Sequence, residues 1–83
     1  MRAAFFVQAY KAKGPRLVGQ PTEPYGDADE ALAAGGRLAR WRVGVVVFRQ
    51  EVDAEGAQRG LPAVLAVHGQ VPDGWRARDR VAA

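Results

Sequence analysis

This chain of 83 residues has no cysteine and no serine, a single threonine (Thr22) and a single histidine (His68). Without cysteine, neither a disulfide nor a thiolate metal site adds stability. Without serine or cysteine, a hydroxyl or thiol nucleophile is close to excluded. No apolar run approaches the roughly 18 residues a membrane span needs. The stretch AAFFV after Arg2 stops at Gln8, short of a signal-peptide core. A soluble, cytoplasmic protein with no membrane contact is the expectation.

What is present is apolar enough to fold. Hydrophobic residues make up 48% of the chain and charges of both signs are mixed through it, which argues for a globular domain over disorder. The length fits one domain, near the lower end of sizes that fold without staples. Ten Arg and two Lys give a net charge of +3, an excess that permits nucleic-acid binding without demanding it.

The chain is organised around DADEALAAGGRLARWRVGVVVFRQ, from Asp27 to Gln50. Asp27 and Glu30 have capping-box spacing, and Asp29 adds negative charge where the helix dipole favours it. Ala31, Ala34, Leu38 and Trp41 recur at helical spacing, and Arg37, Arg40 and Arg42 sit where cations complement exposed carbonyls. The spacing predicts a helix over 28–41. Gly35-Gly36 is its flaw, each Gly costing about 1 kcal/mol relative to Ala. The apolar phase continues across the pair, so close approach to a sheet is expected rather than a break. In the strand that follows, 43–52, Val43, Val45 and Val47 point one way, Val46, Phe48 and Val52 the other. Neither side is comfortable in water.

Upstream, AAFFVQAYKA (3–12) reads as the first strand, Lys13-Gly14-Pro15 as a turn and Arg16 to Gly19 as a short return. Pro21 and Pro24 are expected to prevent regular pairing before the helix. Downstream, a polar loop over 53–60 leads to a last strand, 63–69, antiparallel to its predecessor. The helix is expected to join the first strand to the next in a right-handed parallel connection. The result is an α+β domain, β(β)αββ, with one helix on one face of a three- to four-stranded sheet. It occupies residues 1–71, and 72–83 form a mobile tail whose Trp75 could dock onto the domain.

Few residues offer chemistry. His68 lacks the partners that a metal site or catalytic base requires, so ordinary hydrogen bonding is expected of it. Asp27, Asp29 and Glu30 serve the helix start. Glu51, Asp53 and Glu55 fit a solvated turn, with weak cation binding as the alternative. Gly35-Gly36-Arg37 matches no phosphate-binding fingerprint. No catalytic, cofactor or metal residues are therefore assigned, and the protein is read as not an enzyme. Arg37, Arg40, Arg42 and Arg49, joined by Arg76, Arg78 and Arg80 with Trp41 and Trp75 interleaved, could meet phosphates and bases. Helix-end charge complementation and a solvated tail explain the same residues, and Asp79 interrupts the tail. Phe6, Tyr10 and Phe48 form an aromatic patch. One helix covers one face of a sheet, so the other would be exposed unless a second copy sheltered it. Phe6, Tyr10, Val45 and Val47 are the expected dimer surface.

The segments FFVQAYKAKG, DADEALAAGGRLA and GVVVFRQEVDAEG…LPAVLAVHGQVP together resemble small α-proteobacterial proteins of unknown function with a strand–helix–hairpin pattern. The resemblance implies a bacterial protein and brings no activity, cofactor or site residue. The strand-to-helix half also looks loosely like the first half of antitoxin-type ββα domains. The functional expectation is a non-enzymatic homodimeric interaction or small regulatory module with an unknown protein partner. The alternative is nucleic-acid binding through the Arg surface.

Overall fold

The computed structural model describes residues 2–75. Its elements are β1 (Arg2–Lys13), β2 (Arg16–Gly19), β3 (Glu23–Tyr25), α1 (Ala28–Leu38), β4 (Gly44–Val52) and β5 (Gln58–Gly69). All strands join one antiparallel sheet in the order β2-β1-β4-β5, with β3 also paired to β1. The α+β class holds, with a sheet of five strands rather than three or four. The added strand is β3, where Pro24 lies opposite Phe6. Proline is tolerated there because β3 is an edge strand, and its missing N–H is a donor that no ladder uses.

The helical connection differs from expectation. β1 and β4 are antiparallel, Tyr10 opposite Gly44 and Arg2 opposite Val52. Because the Gly14 turn has already reversed the chain and β2 and then β3 run back along β1, the helix starts near Phe5 and returns the chain to the Tyr10 end. The parallel strands bracketing the crossover are thus β3 and β4, with β1 between them.

The helix starts as its sequence says. Asp27 Oδ1 accepts from the Glu30 amide at 2.8 Å, and Glu30 Oε2 accepts from Gly26 N at 3.1 Å. Such a cap stabilises by about 1 kcal/mol. α1 ends three residues early. The amides of Arg40 and Trp41 donate to Arg37 and Leu38, an i→i+3 tightening that turns the chain toward β4. Trp41 thereby leaves the apolar stripe and is 76% exposed.

On the helix side, Ala31 and Ala34 bury Val7, Ala9, Val45 and Val47. Gly35 makes this contact work: a methyl group there would overlap Val47 Cγ2, whereas one on Gly36 would meet nothing within 4 Å. The opposite side holds Tyr10, Val46, Phe48 and Val64, flanked by Phe6, Leu17 and Val67. It was expected to stay open for a second copy. Instead Val71 is buried there, and Trp75 lies against Phe48 with ring centroids 4.9 Å apart while its Nε1 donates to Tyr10 Oη at 2.7 Å. Of the tail, Trp75 is thus docked and residues 76–83 fall outside the described residues.

The β4–β5 hairpin is longer than the sequence indicates, because β5 begins at Gln58 inside the expected loop. Its pairing slips between Arg49 and Glu51, where Gly60, Leu61 and Pro62 bulge outward. Gln50, 2% exposed, fills the gap with Nε2 donating to the carbonyls of Arg59 (2.9 Å) and Gly60 (3.2 Å). A buried polar side chain is tolerated because it satisfies carbonyls the bulge leaves unpaired.

Two measurements check this architecture. Gly35→Ala is expected to lower stability by about 1–3 kcal/mol through overpacking, while Gly36→Ala raises it by about 0.5–1 kcal/mol, both read by urea denaturation. Trp75→Ala is expected to cost about 2–4 kcal/mol and to increase dye binding to the uncovered Phe48 face.

Candidate functional site

The antiparallel register sorts charge along the strands. β1 outruns β4: pairing with β4 stops at Tyr10, and Lys11, Val18, Lys13 and Arg16 continue as a two-stranded arm beyond the body. Side chains alternate across a strand, so Lys11 and Lys13 share the face on which Val7 and Ala9 meet the helix. Val18 and Arg16 stand opposite them on the same face, and all four are exposed. Gly14, with φ of 60°, permits the tight tip.

At the base of this arm lies the loop following α1. Arg42 Nε donates to Gln20 Oε1 at 2.5 Å, tying the loop to the residue after β2, and Arg42 Nη1 donates to the Trp41 carbonyl at 3.2 Å. Gln20 is held in turn through its amide to Ala9 O at 2.9 Å and through its carbonyl, which accepts from Gln8 Nε2. Arg40 and Trp41 are left projecting into solvent. A cleft of about 200 Å³ sits beside the loop, floored by Val7, Ala9, Pro21 and Leu38 and rimmed by Glu23 and Arg42. A shallower one of about 390 Å³ is lined by Tyr25, Glu30, Ala33 and Arg37. In it Tyr25 Oη donates to Glu23 Oε2 at 3.2 Å. Partial burial, then the charge of Glu23, push the Tyr25 phenol above its ordinary pKa.

The far end is acidic. Asp27, Asp29 and Glu30 open the helix near Phe5, and Glu51, Asp53 and Glu55 mark the β4–β5 turn beyond it. Asp53 is a turn device. Oδ1 accepts from Glu55 N (3.0 Å) and Ala57 N (2.9 Å), and Oδ2 from Arg59 Nε (2.9 Å). The Ala57 amide foremost, helped by Arg59 and the Glu55 amide, holds this carboxyl below the usual carboxylate range. Its hydrogen bonds are spent within the hairpin.

The expected Arg surface is therefore only partly assembled. Arg37, Arg40 and Arg42 gather at the helix end. Arg49 lies opposite Phe5, five strand residues or about 17 Å past Gly44, and is paired with Glu51 at 2.5 Å. Arg76 and Arg78 lie outside the described residues. The expected dimer surface divides as well: Phe6 and Tyr10 belong to the Trp75 side, while Val45 and Val47 are 0% exposed beneath α1 and open to no second copy. His68 stands opposite Val45 and lines neither cleft. Among the described residues no group of three or more acidic or histidine side chains gathers for a metal ion, and no helix is long and apolar enough to cross a membrane. The sequence reading overlooked Lys11, Lys13 and Arg16. The signal was the cation-flanked turn Lys13-Gly14-Pro15, whose approach to the helix end depends on the pairing of β1.

Asp53 gives a pH prediction. Folding depresses its pKa, so its stabilisation is full above the unfolded carboxyl's pKa and is lost as pH falls through the folded value. Carboxyl-carbon NMR is expected to show Asp53 titrating below the ordinary aspartate range. Amide protection at Glu55 and Ala57 should fall with the same midpoint, and Asp53→Asn should abolish that pH dependence.

No family model matches the chain, and neither a curated protein nor a solved structure shows significant similarity to it, so the functional reading rests on these residues alone.

Proposed function

We propose that this domain is a non-enzymatic binding module that engages an anionic partner through its basic arm and the adjoining Arg40–Arg42 loop. One observation carries the reading: the fold separates charges that the sequence interleaves. Lys11, Lys13, Arg16, Arg37, Arg40 and Arg42 collect toward one end of a molecule measuring 40 × 23 × 23 Å, and acidic helix-start and turn residues occupy the other. A potential of one sign over a projecting surface steers a partner of the opposite sign.

The composition supports a non-catalytic role. Ser and Cys are missing, and Thr22 lies exposed in the link between β2 and β3, outside both clefts. Self-association is not needed to shelter the sheet, since Val71 and Trp75 already cover the face that motivated it.

The test is elution of the full chain from a heparin matrix. Lys11→Gln with Lys13→Gln should release the protein at distinctly lower salt. Arg2→Gln with Arg49→Gln, an equal loss of net charge at the other end, should change elution little. Equal shifts for the two pairs would mean that only total charge matters, and the proposed surface would be wrong.

A further inference from the structure

Resting on that reading of the basic arm, we infer that its anionic partner is single-stranded nucleic acid, with a base stacked on Trp41 and the backbone phosphates neutralised by Lys11, Lys13, Arg16 and Arg40. The first ground is Trp41 itself. Both sides of the sheet are closed by the chain's own residues, and the other tryptophan is docked on Phe48 and Tyr10. Yet this indole is 76% exposed. It is not loosely placed either. Arg42, itself anchored by Gln20, donates to the Trp41 carbonyl, and the Trp41 amide donates to Leu38 O at 2.9 Å, so the backbone presenting the ring is fixed at both its polar groups. Arg42 acts here as a positioning residue.

The second ground is the chemistry around the ring. Arg40 precedes it, and the arm's Lys11 and Lys13 lie on the sheet face that α1 covers, where the next loop residue, Arg42, is tied to Gln20 at the base of the arm. Lys11 and Lys13, two strand residues apart on one face, stand about 7 Å apart, which lets each meet a different phosphate of an extended strand. An acidic peptide would satisfy the cations but has no use for an indole face. In a duplex the bases are already stacked on each other and offer no free face. Single strands satisfy both features, through a cationic track and a sequence-tolerant stacking platform.

The test uses the full chain and fluorescently labelled oligouridylate and oligothymidylate of about 15 nucleotides, read by anisotropy across a salt series. Binding should weaken with salt, and Lys11→Gln with Lys13→Gln should lower the slope of log affinity against log salt by about 1.4. Trp41→Ala should weaken binding about tenfold, and Trp41→Phe should retain most of the affinity because a stacking face remains. A matched duplex should bind more weakly than either single strand. The ribo and deoxy arms decide which sugar is preferred, and binding of either supports the inference. No binding at low salt would overturn it, as would a Trp41→Ala affinity equal to that of the parent or a duplex bound as tightly as the single strands. If heparin elution still follows Lys11 and Lys13 in those cases, the anionic-partner reading stands and the nucleic-acid assignment alone falls.

Discussion

Strand β4 cannot tolerate water on either side. Val45, Val46 and Val47 are each 0% exposed, so consecutive residues on opposite faces of the sheet are equally enclosed. Burying such a side chain is worth about 1.5–3 kcal/mol, a large share of the stability of a domain this small. Two lids follow from that constraint. The helix supplies the first, and its closeness depends on Gly35 having no side chain to set against Val47. The second is a short piece of chain after β5, in which Val71 and the Trp75 indole do what a second helix does in larger α+β folds.

The second lid also illustrates how a polar handle places an aromatic ring. Burial alone would leave Trp75 free to slide over Phe6 and Phe48, whose rings are themselves stacked 5.4 Å apart. The hydrogen bond from its indole to Tyr10 fixes one position and satisfies a phenol that is otherwise nearly enclosed. Residues from opposite ends of the sequence thus meet, and a face that looked like a surface for a second copy becomes interior.

Charge is distributed by the same geometry. Along the chain, cations (2–16 and 37–49) and acids (23–30 and 51–55) come in alternating blocks, and the net excess is only +3. Antiparallel pairing and a helix returning the chain to the Tyr10 end carry the arm's lysines and the arginines that close α1 toward the same end, while Arg49 lies farther along β4, paired with Glu51. Grouping arginines by proximity in sequence therefore joined Arg49 to residues from which the fold separates it, and left out Lys11, Lys13 and Arg16, which the β1–β2 arm carries toward the same end as the arginines that close α1. Helical spacing put Trp41 in the apolar stripe of α1, but a helix that must hand over to a strand at Gly44 unwinds before that spacing is completed.

What the sequence determined by itself is local. The Asp27–Glu30 cap, the helix it opens, the turn at Gly14, the two-sided apolarity of β4 and the close approach expected of the Gly35-Gly36 pair all depend on residues within a few positions of one another, or on periodicity, and each was legible; that Gly35 and not Gly36 meets Val47 was not. The tertiary structure alone decided which strands flank β1, that Pro24 could sit in an edge strand, that Gln50 would plug a bulge, that Trp75 would cover the second face and that cations would collect at one end. Each of those depends on contacts between residues distant in the chain, whose free energies are set by register and packing and carry no short-range signature.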